Sequence, residues 1–309
     1  MPTFSKLRGL AKRQKLNHAT EPDTHQGDTV SLAESERARS AEAPARNRRK
    51  IKRFGISTVG DNNDNAAVDV VCIHGLSGHP EATWLDETLD FFWPEHLSHD
   101  IRGIRTMTFG YDADPTSMLG KVDQNRLADH ALSLLNDISM ERERTNTESR
   151  PLFFVVHSLG GLVLKKALCT ASTRASADAH LQAVGSCTKG IIFMGTPHAG
   201  SNMASWADAI GRILQVRSVN VNKNLINTLK SDSEVLRDVN DQFGQLLERH
   251  KEQQARIQIK AYHEEVPIGN VGLVVPLASA SILEYTSEGI HANHMVGLIL
   301  SLAKSANEA

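Results

Sequence analysis

Short apolar runs alternate along this chain with longer stretches whose apolar residues recur every three or four positions. Val68–Ile73, Leu152–Val156 and Gly190–Met194 are almost continuous in apolar residues. Such runs fit parallel strands buried on both faces. Ile51–Val59 and Ile104–Tyr111 read as further strands. Arg256–Tyr262 sets Ile257, Ile259 and Ala261 against polar neighbours, the pattern of a half-exposed strand at a sheet edge. Val271–Pro276 reads as the last strand. Helical spacing marks Thr116–Ile138 through Leu119, Val122, Leu127, Ala131, Leu134 and Leu135. It also marks the stretch from Ser158 to about Ala171, and Ser201–Val216. The charged insertion Asn222–Glu252 carries one stripe: Val235, Leu236, Val239, Phe243, Leu246 and Leu247. Asp232 or Ser233 is positioned to cap its helix, which reads either as a lid over a pocket or as a solvated helix on its rim. Trp84–Leu97 is expected to be partly helical, with Leu85, Leu89, Phe92 and Trp93 inward and Pro94 ending or kinking it. Gly60–Asn65 is a turn cluster. Glu141–Arg150 and Ile290–His294 are loops, and Met295–Lys304 is a closing helix. This strand–helix alternation predicts an α/β fold: a mostly parallel sheet with helices on both faces and a helical insertion before Arg256–Tyr262.

Composition divides the chain in two. Residues 1–50 are rich in Ala, Glu, Arg, Ser, Thr and Asn and poor in aliphatic side chains, so they cannot bury enough surface to offset their chain entropy. They are expected to be a disordered basic tail ahead of a domain at 51–309. Residues 1–53 carry a net charge of +7 and the remainder −9, against −2 for the whole chain. The overall charge of −2 argues against a general attraction to nucleic acid. No acid precedes Glu21, while Lys6, Arg8, Lys12, Arg13 and Lys15 do. The tail thus has two readings, a mitochondrial presequence or a solvated segment open to a protein partner. The expected location is intracellular, cytoplasmic first and mitochondrial second. Three cysteines without a paired spacing fit a reducing compartment. Apolar runs such as Met295–Leu302 are too short to span a bilayer.

The candidate chemistry lies where strands end. Val156-His157-Ser158-Leu159-Gly160 is a G-x-S-x-G elbow with valine at the first glycine position. An apolar strand precedes it and an apolar helix follows, so Ser158 is held on a tight bend at the helix N-terminus, where the helix dipole favours a developing anion. Acyl transfer needs a nucleophile, a base, a group that orients the base, and oxyanion donors. Ser158 is the candidate nucleophile. His294 is the candidate base and His291 its alternate. Glu264 is the candidate acid and Glu265 its alternate. The backbone N–H groups of Leu159 and Leu76 are the candidate oxyanion donors. The order Ser, Glu, His suits an elbow of this kind. His74 and His157 read as packing or hydrogen-bonding residues, His198 as loop-fixing, Trp84 as core, and Asp112 as a strand-end carboxylate placed too early for the acid. No H-E-x-x-H or cysteine pair suggests a metal, and no cofactor is expected.

Several stretches match one family together: Val70–Gly78 with Thr83-Trp84, Val156–Val163, Met194–Ser201, His263–Pro267, Tyr285–Ser287 and Gly289–Met295. Over about residues 55–300 the chain resembles the serine esterase/lipase-like α/β-hydrolases of fungi, whose domains often precede NACHT, ankyrin or tetratricopeptide repeats. It is similar to serine-active-site-containing proteins of mitochondria and, more distantly, to GPI inositol-deacylases. The resemblance implies an α/β-hydrolase fold and a triad of Ser158, Glu264 and His294; absence of the first elbow glycine is common in the family, so Val156 does not argue against activity. No repeat or nucleotide-binding region follows, and Val296–Leu300 departs from the family's usual continuation. The expectation is a stand-alone or shortened hydrolase that cleaves a carboxylic ester or lipid through an acyl-enzyme. Two rival readings stay open: a non-catalytic signalling or interaction module that keeps the fold, and an acyltransferase acting on a biosynthetic intermediate.

Overall fold

The computed structural model describes residues 49–60, 65–114, 124–174, 178–198, 211, 233–275, 277–282, 284–285 and 287–294. A seven-stranded sheet forms its centre. Strand β1 is Gly55–Val59, β2 Val68–Ile73, β5 Ile104–Gly110, β6 Leu152–His157, β7 Thr188–Met194, β8 Gln258–Glu264 and β9 Ser287–Ile290. A separate hairpin pairs β3 (Leu85–Asp86) with β4 (Phe91–Phe92). The sheet order is β1-β5-β2-β6-β7-β8-β9. Only β1 runs antiparallel to its neighbour, and the other six strands are parallel. All six therefore end at one edge, and each following loop starts there. This strand order, with a serine elbow after the central strand β6, is the α/β-hydrolase fold.

Side-chain alternation splits the strands between two cores. Val71, Ile73, Phe154 and Val156 point to one face, and Val70, Cys72 and Val155 to the other. The first face is covered by helices α2 (Gln124–Arg144), α3 (Gly160–Thr173), α4 (Ala179–Cys187) and α5 (Ser233–Glu252). Helix α1 (Trp93–Asp100) lies on the second, beside buried Trp84 and Phe92. Full burial of one such side chain contributes about 1.5–3 kcal/mol. On α5 the stripe Val239, Phe243, Leu246 and Leu247 is buried as its spacing predicts.

Several expectations change. Pro94 starts helix α1 rather than ending one, because a first-turn N–H has no intrahelical acceptor to lose. Leu89 sits in the turn of the hairpin and is 67% exposed, not inward. Helix α2 runs on to Arg144, so the first turn of the expected 141–150 loop is helical. Strand β8 is internal, between β7 and β9, although it alternates as read. Val271–Pro276 is not a strand. Gly269 and Gly272 take positive φ of 42° and 80°, and a 3₁₀ turn at Gly269–Val271 folds the run back. Among the described residues the last strand is the short, polar β9 instead. Residues 1–48, most of Ser201–Val216, the insertion before Ser233, Thr116–Val122 and Met295–Lys304 lie outside the described residues.

Buried charged clusters lie on both sides of this frame. At the strand-start edge, Asp69 on β2 is fully enclosed and accepts from Arg105 Nε (2.9 Å), Arg105 Nη2 (2.8 Å) and Arg150 Nη1 (3.0 Å). Arg142 Nε stands 3.8 Å from the same carboxylate. On the helical side, Lys165 of α3 is fully enclosed, and its Nζ donates to His198 Nδ1 and Asn240 Oδ1, both at 2.5 Å. The ammonium also lies 5.3 Å from the Phe193 ring centre and 5.6 Å from that of Phe243.

Burial pushes Lys165 down to about 7. Burial and the neighbouring ammonium push His198 well below the usual histidine range. The unfolded chain holds the Lys165 proton up to about pH 10.4. Between pH 7 and 10 the folded state therefore binds fewer protons, and stability rises with pH. The expected result is that from pH 7 to 9.5 the melting temperature of wild type rises relative to that of Lys165→Met, wild type gaining at most about 1.4 kcal/mol per pH unit. Parallel curves would show that Lys165 titrates normally.

Candidate active site

Ser158 follows β6 with φ at +50°, a left-handed conformation that costs a non-glycine residue about 1–2 kcal/mol. Neighbours hold it there. Its N–H donates to the Met194 carbonyl (2.9 Å), and its carbonyl accepts from Gly161 N–H (3.1 Å) and Thr196 Oγ1 (3.1 Å). The glycines keep three elements close. A Cβ on Gly160 would strike the His74 carbonyl at the end of β2, and one on Gly161 would strike Thr196. A Cβ on Gly75 would stand 2.7 Å from the Ser158 Cβ. The tight contact is thus between the elbow and the neighbouring β2 and β7 loops.

Strand ends bring the remaining groups to Ser158. The hydroxyl Oγ lies 3.2 Å from His294 Nε2, and His294 Nδ1 lies 3.3 Å from Glu264 Oε2. Glu264 ends β8, and His294 lies in the loop after β9. Ser158, Glu264 and His294 are 4%, 0% and 2% exposed. The second Glu264 oxygen accepts the Val275 N–H, which the fold-back at Gly269–Gly272 delivers. With the Nδ1 proton on the carboxylate side, Nε2 is free to accept the serine proton. Glu265 and His291 face outward as a surface pair 3.9 Å apart, and the His291 side chain is 88% exposed. The structure brings Glu264 and His294 to Ser158 and leaves Glu265 and His291 on the surface.

Leu76 and Leu159 are both buried, flanking the serine in sequence and across the β2–β6 loops. Among the described residues, neither N–H has a backbone or side-chain acceptor. The Leu76 loop is pinned by Ser77 N–H to the Ala113 carbonyl (2.8 Å) and by Gly78 N–H to the Gly75 carbonyl (3.0 Å). His74 braces it from below. Its ring stacks on Tyr111 at 4.5 Å, and the Tyr111 hydroxyl donates to the His74 carbonyl (3.0 Å). Burial pushes His74 down to about 4, so this brace stays neutral through the physiological range. A cavity of about 320 Å³ opens beside the loop, with Arg53, Phe54, Ser77, Gly78, Tyr111 and Asp112 among its lining residues. Sequence reasoning missed Tyr111 and the Val275 amide. The tyrosine had a signal, since it directly follows an apolar strand, whereas the amide had none.

His198 is buried, but it faces Lys165 through Nδ1. Among the described residues, no three His, Cys, Asp or Glu side chains gather as metal ligands do. Among the same residues, no helix is long and apolar enough to cross a membrane.

No family model matches the chain. It is 30% identical over 244 residues to Protein SERAC1 of Danio rerio, covering 71% of this chain and 34% of the relative. The human Protein SERAC1 is 29% identical over 234 residues, covering 69% of this chain and 33% of the relative. Among solved structures, Bacillus licheniformis lipase BlEst2 aligns with a TM-score of 0.47 and 16% identity, over 77% of this chain and 89% of that one. The likeness to fungal, NACHT-associated and inositol-deacylase domains rests on the sequence motifs alone. The chain spans about a third of the length of the curated relatives it matches.

Proposed function

We propose that residues 51–309 form a cofactor-independent serine hydrolase that cleaves carboxylic esters of small, lipid-like molecules. The observation that carries this reading is the continuous line of contacts from Ser158 Oγ through the His294 ring to Glu264. In the proposed reaction His294 Nε2 takes the Ser158 proton as Oγ attacks the ester carbonyl. The Leu159 and Leu76 N–H groups receive the oxyanion of the tetrahedral intermediate, and each such donor supplies about two to three orders of magnitude in rate. Glu264 holds the imidazole tautomer and stabilises the imidazolium without itself taking the proton. His294 returns the proton to the departing alkoxide, which leaves an acyl-Ser158. Water, deprotonated by the same histidine, then releases the acid.

The scaffold reading fits less well. A strained serine and an enclosed carboxylate–imidazole pair cost stability that a passive fold would have no use for. Transfer of the acyl group to an acceptor other than water would use the same groups and begins with the same acyl-enzyme.

The test is turnover of p-nitrophenyl esters from acetate to decanoate by the full chain. The expected result is saturable hydrolysis that Ser158→Ala loses. Release of p-nitrophenol that is identical in Ser158→Ala would overturn the proposal.

A further inference from the structure

The residue before the serine has a contact that the proposed reaction does not use. His157 ends β6, is 8% exposed, and places Nε2 3.0 Å from the backbone carbonyl of His294, 137 residues away. A carbonyl only accepts, so the His157 proton sits on Nε2 and the bond points from the elbow to the histidine loop. The two imidazoles lie 5.0 Å apart at a tilt of 42°. Room for the His157 ring depends on Gly75, where a Cβ would stand 3.1 Å from Nδ1.

The loop that carries His294 is also tied through its neighbours, Asn293 among them. Ala292 N–H bonds the carbonyl of Ile290 (2.7 Å), and Val266 N–H bonds that of Ala292 (3.2 Å). Both fasten the loop two or more residues before His294. Contacts at His294 itself include the side-chain bonds to Ser158 and Glu264, the ring contact with His157, and the bond from His157 to its carbonyl.

We infer that His157 is a positioning residue: its Nε2–H clamps the His294 main chain to the elbow strand, which sets the height and rotation of the imidazole over Ser158. This rests on the serine-hydrolase reading. It assigns the x position of the elbow motif a task distinct from the triad's. The clamp matters because the base must meet Oγ within a few tenths of an ångström, and a shift of about 1 Å can cost about a hundredfold in rate.

The test compares His157→Leu, which removes the donor, with His157→Gln, whose side-chain amide returns a donor near the Nε2 position. Both are measured in the full chain for kcat and KM on a p-nitrophenyl ester, for the rate of fluorophosphonate labelling, and for melting temperature. The leucine variant is expected to lose about 10- to 100-fold in kcat and in labelling rate, with KM within about twofold. The glutamine variant is expected to recover to within about threefold of wild type, although the two variants melt alike. Wild-type kcat in His157→Leu, or equal impairment of both variants, would overturn the clamp while Ser158-dependent labelling of the wild type upholds the enzyme. Wild-type protein that shows no Ser158-dependent labelling would overturn both.

Discussion

Ser158→Ala is expected to lower ester turnover by about 10⁴- to 10⁶-fold, His294→Ala by a similar factor, and the double variant no further. The reason lies in the 3.2 Å contact between Oγ and Nε2. A serine hydroxyl is a poor nucleophile until a base takes its proton, and the base has nothing to act on without the hydroxyl, so the pair works as one unit. Losses that multiply in the double variant would mean that the two residues act separately. The alanine variant should also fold, because Ser158 is held by its backbone bonds to Met194, Gly161 and Thr196, which alanine keeps. Its melting temperature is therefore expected within about 2 °C of wild type, since removing one hydroxyl changes stability by about 1 kcal/mol or less.

The second large effect is on stability. Asp69→Ala is expected to cost about 3–5 kcal/mol and lower the melting temperature by roughly 10 °C, with the site's chemistry intact in the cold. The carboxylate of Asp69 is 0% exposed, and Arg105 beside it is 4% exposed. Taking away this anion leaves guanidinium groups of Arg105 and Arg142 in a space that water scarcely reaches. Arg150, 12% exposed, has an easier route to solvent. Asp69 lies at the start of β2, whereas Ser158, Glu264 and His294 lie where strands end. Melting followed by circular dichroism, and kcat measured at 15 °C, separate the two effects. A melting temperature within 2 °C of wild type would show that the arginines find other partners.

Much of the frame was legible because it depends on local pattern. The short apolar runs of β2, β6 and β7 fit strands covered on both sides, and the spacing of the α5 stripe fits one face of a helix. The elbow was legible because strand, serine and glycines adjoin in sequence. The misreadings depend on contacts that local pattern does not encode. Ser287–Ile290 has no alternation that would mark it, and it is a strand because the edge of β8 pairs with it. Val271–Pro276 has the composition of a strand but is folded back by two glycines at positive φ. Sequence offered Glu264 and Glu265 together. Adjacent residues at a strand end point to opposite faces, so one-residue register decides which turns inward, and the sheet sets that register. Asp69 and its arginines lie 36 and 81 residues apart, too far for any motif to join them.

The most direct measurement of the central claim is the mass of the folded protein after treatment with a fluorophosphonate, followed by peptide mapping. The account predicts one adduct per chain, on Ser158, formed at least a hundredfold more slowly in His294→Ala, by the order of magnitude that general-base catalysis contributes. A folded protein that takes up no adduct, or one that labels Ser158 equally fast without His294, would contradict it.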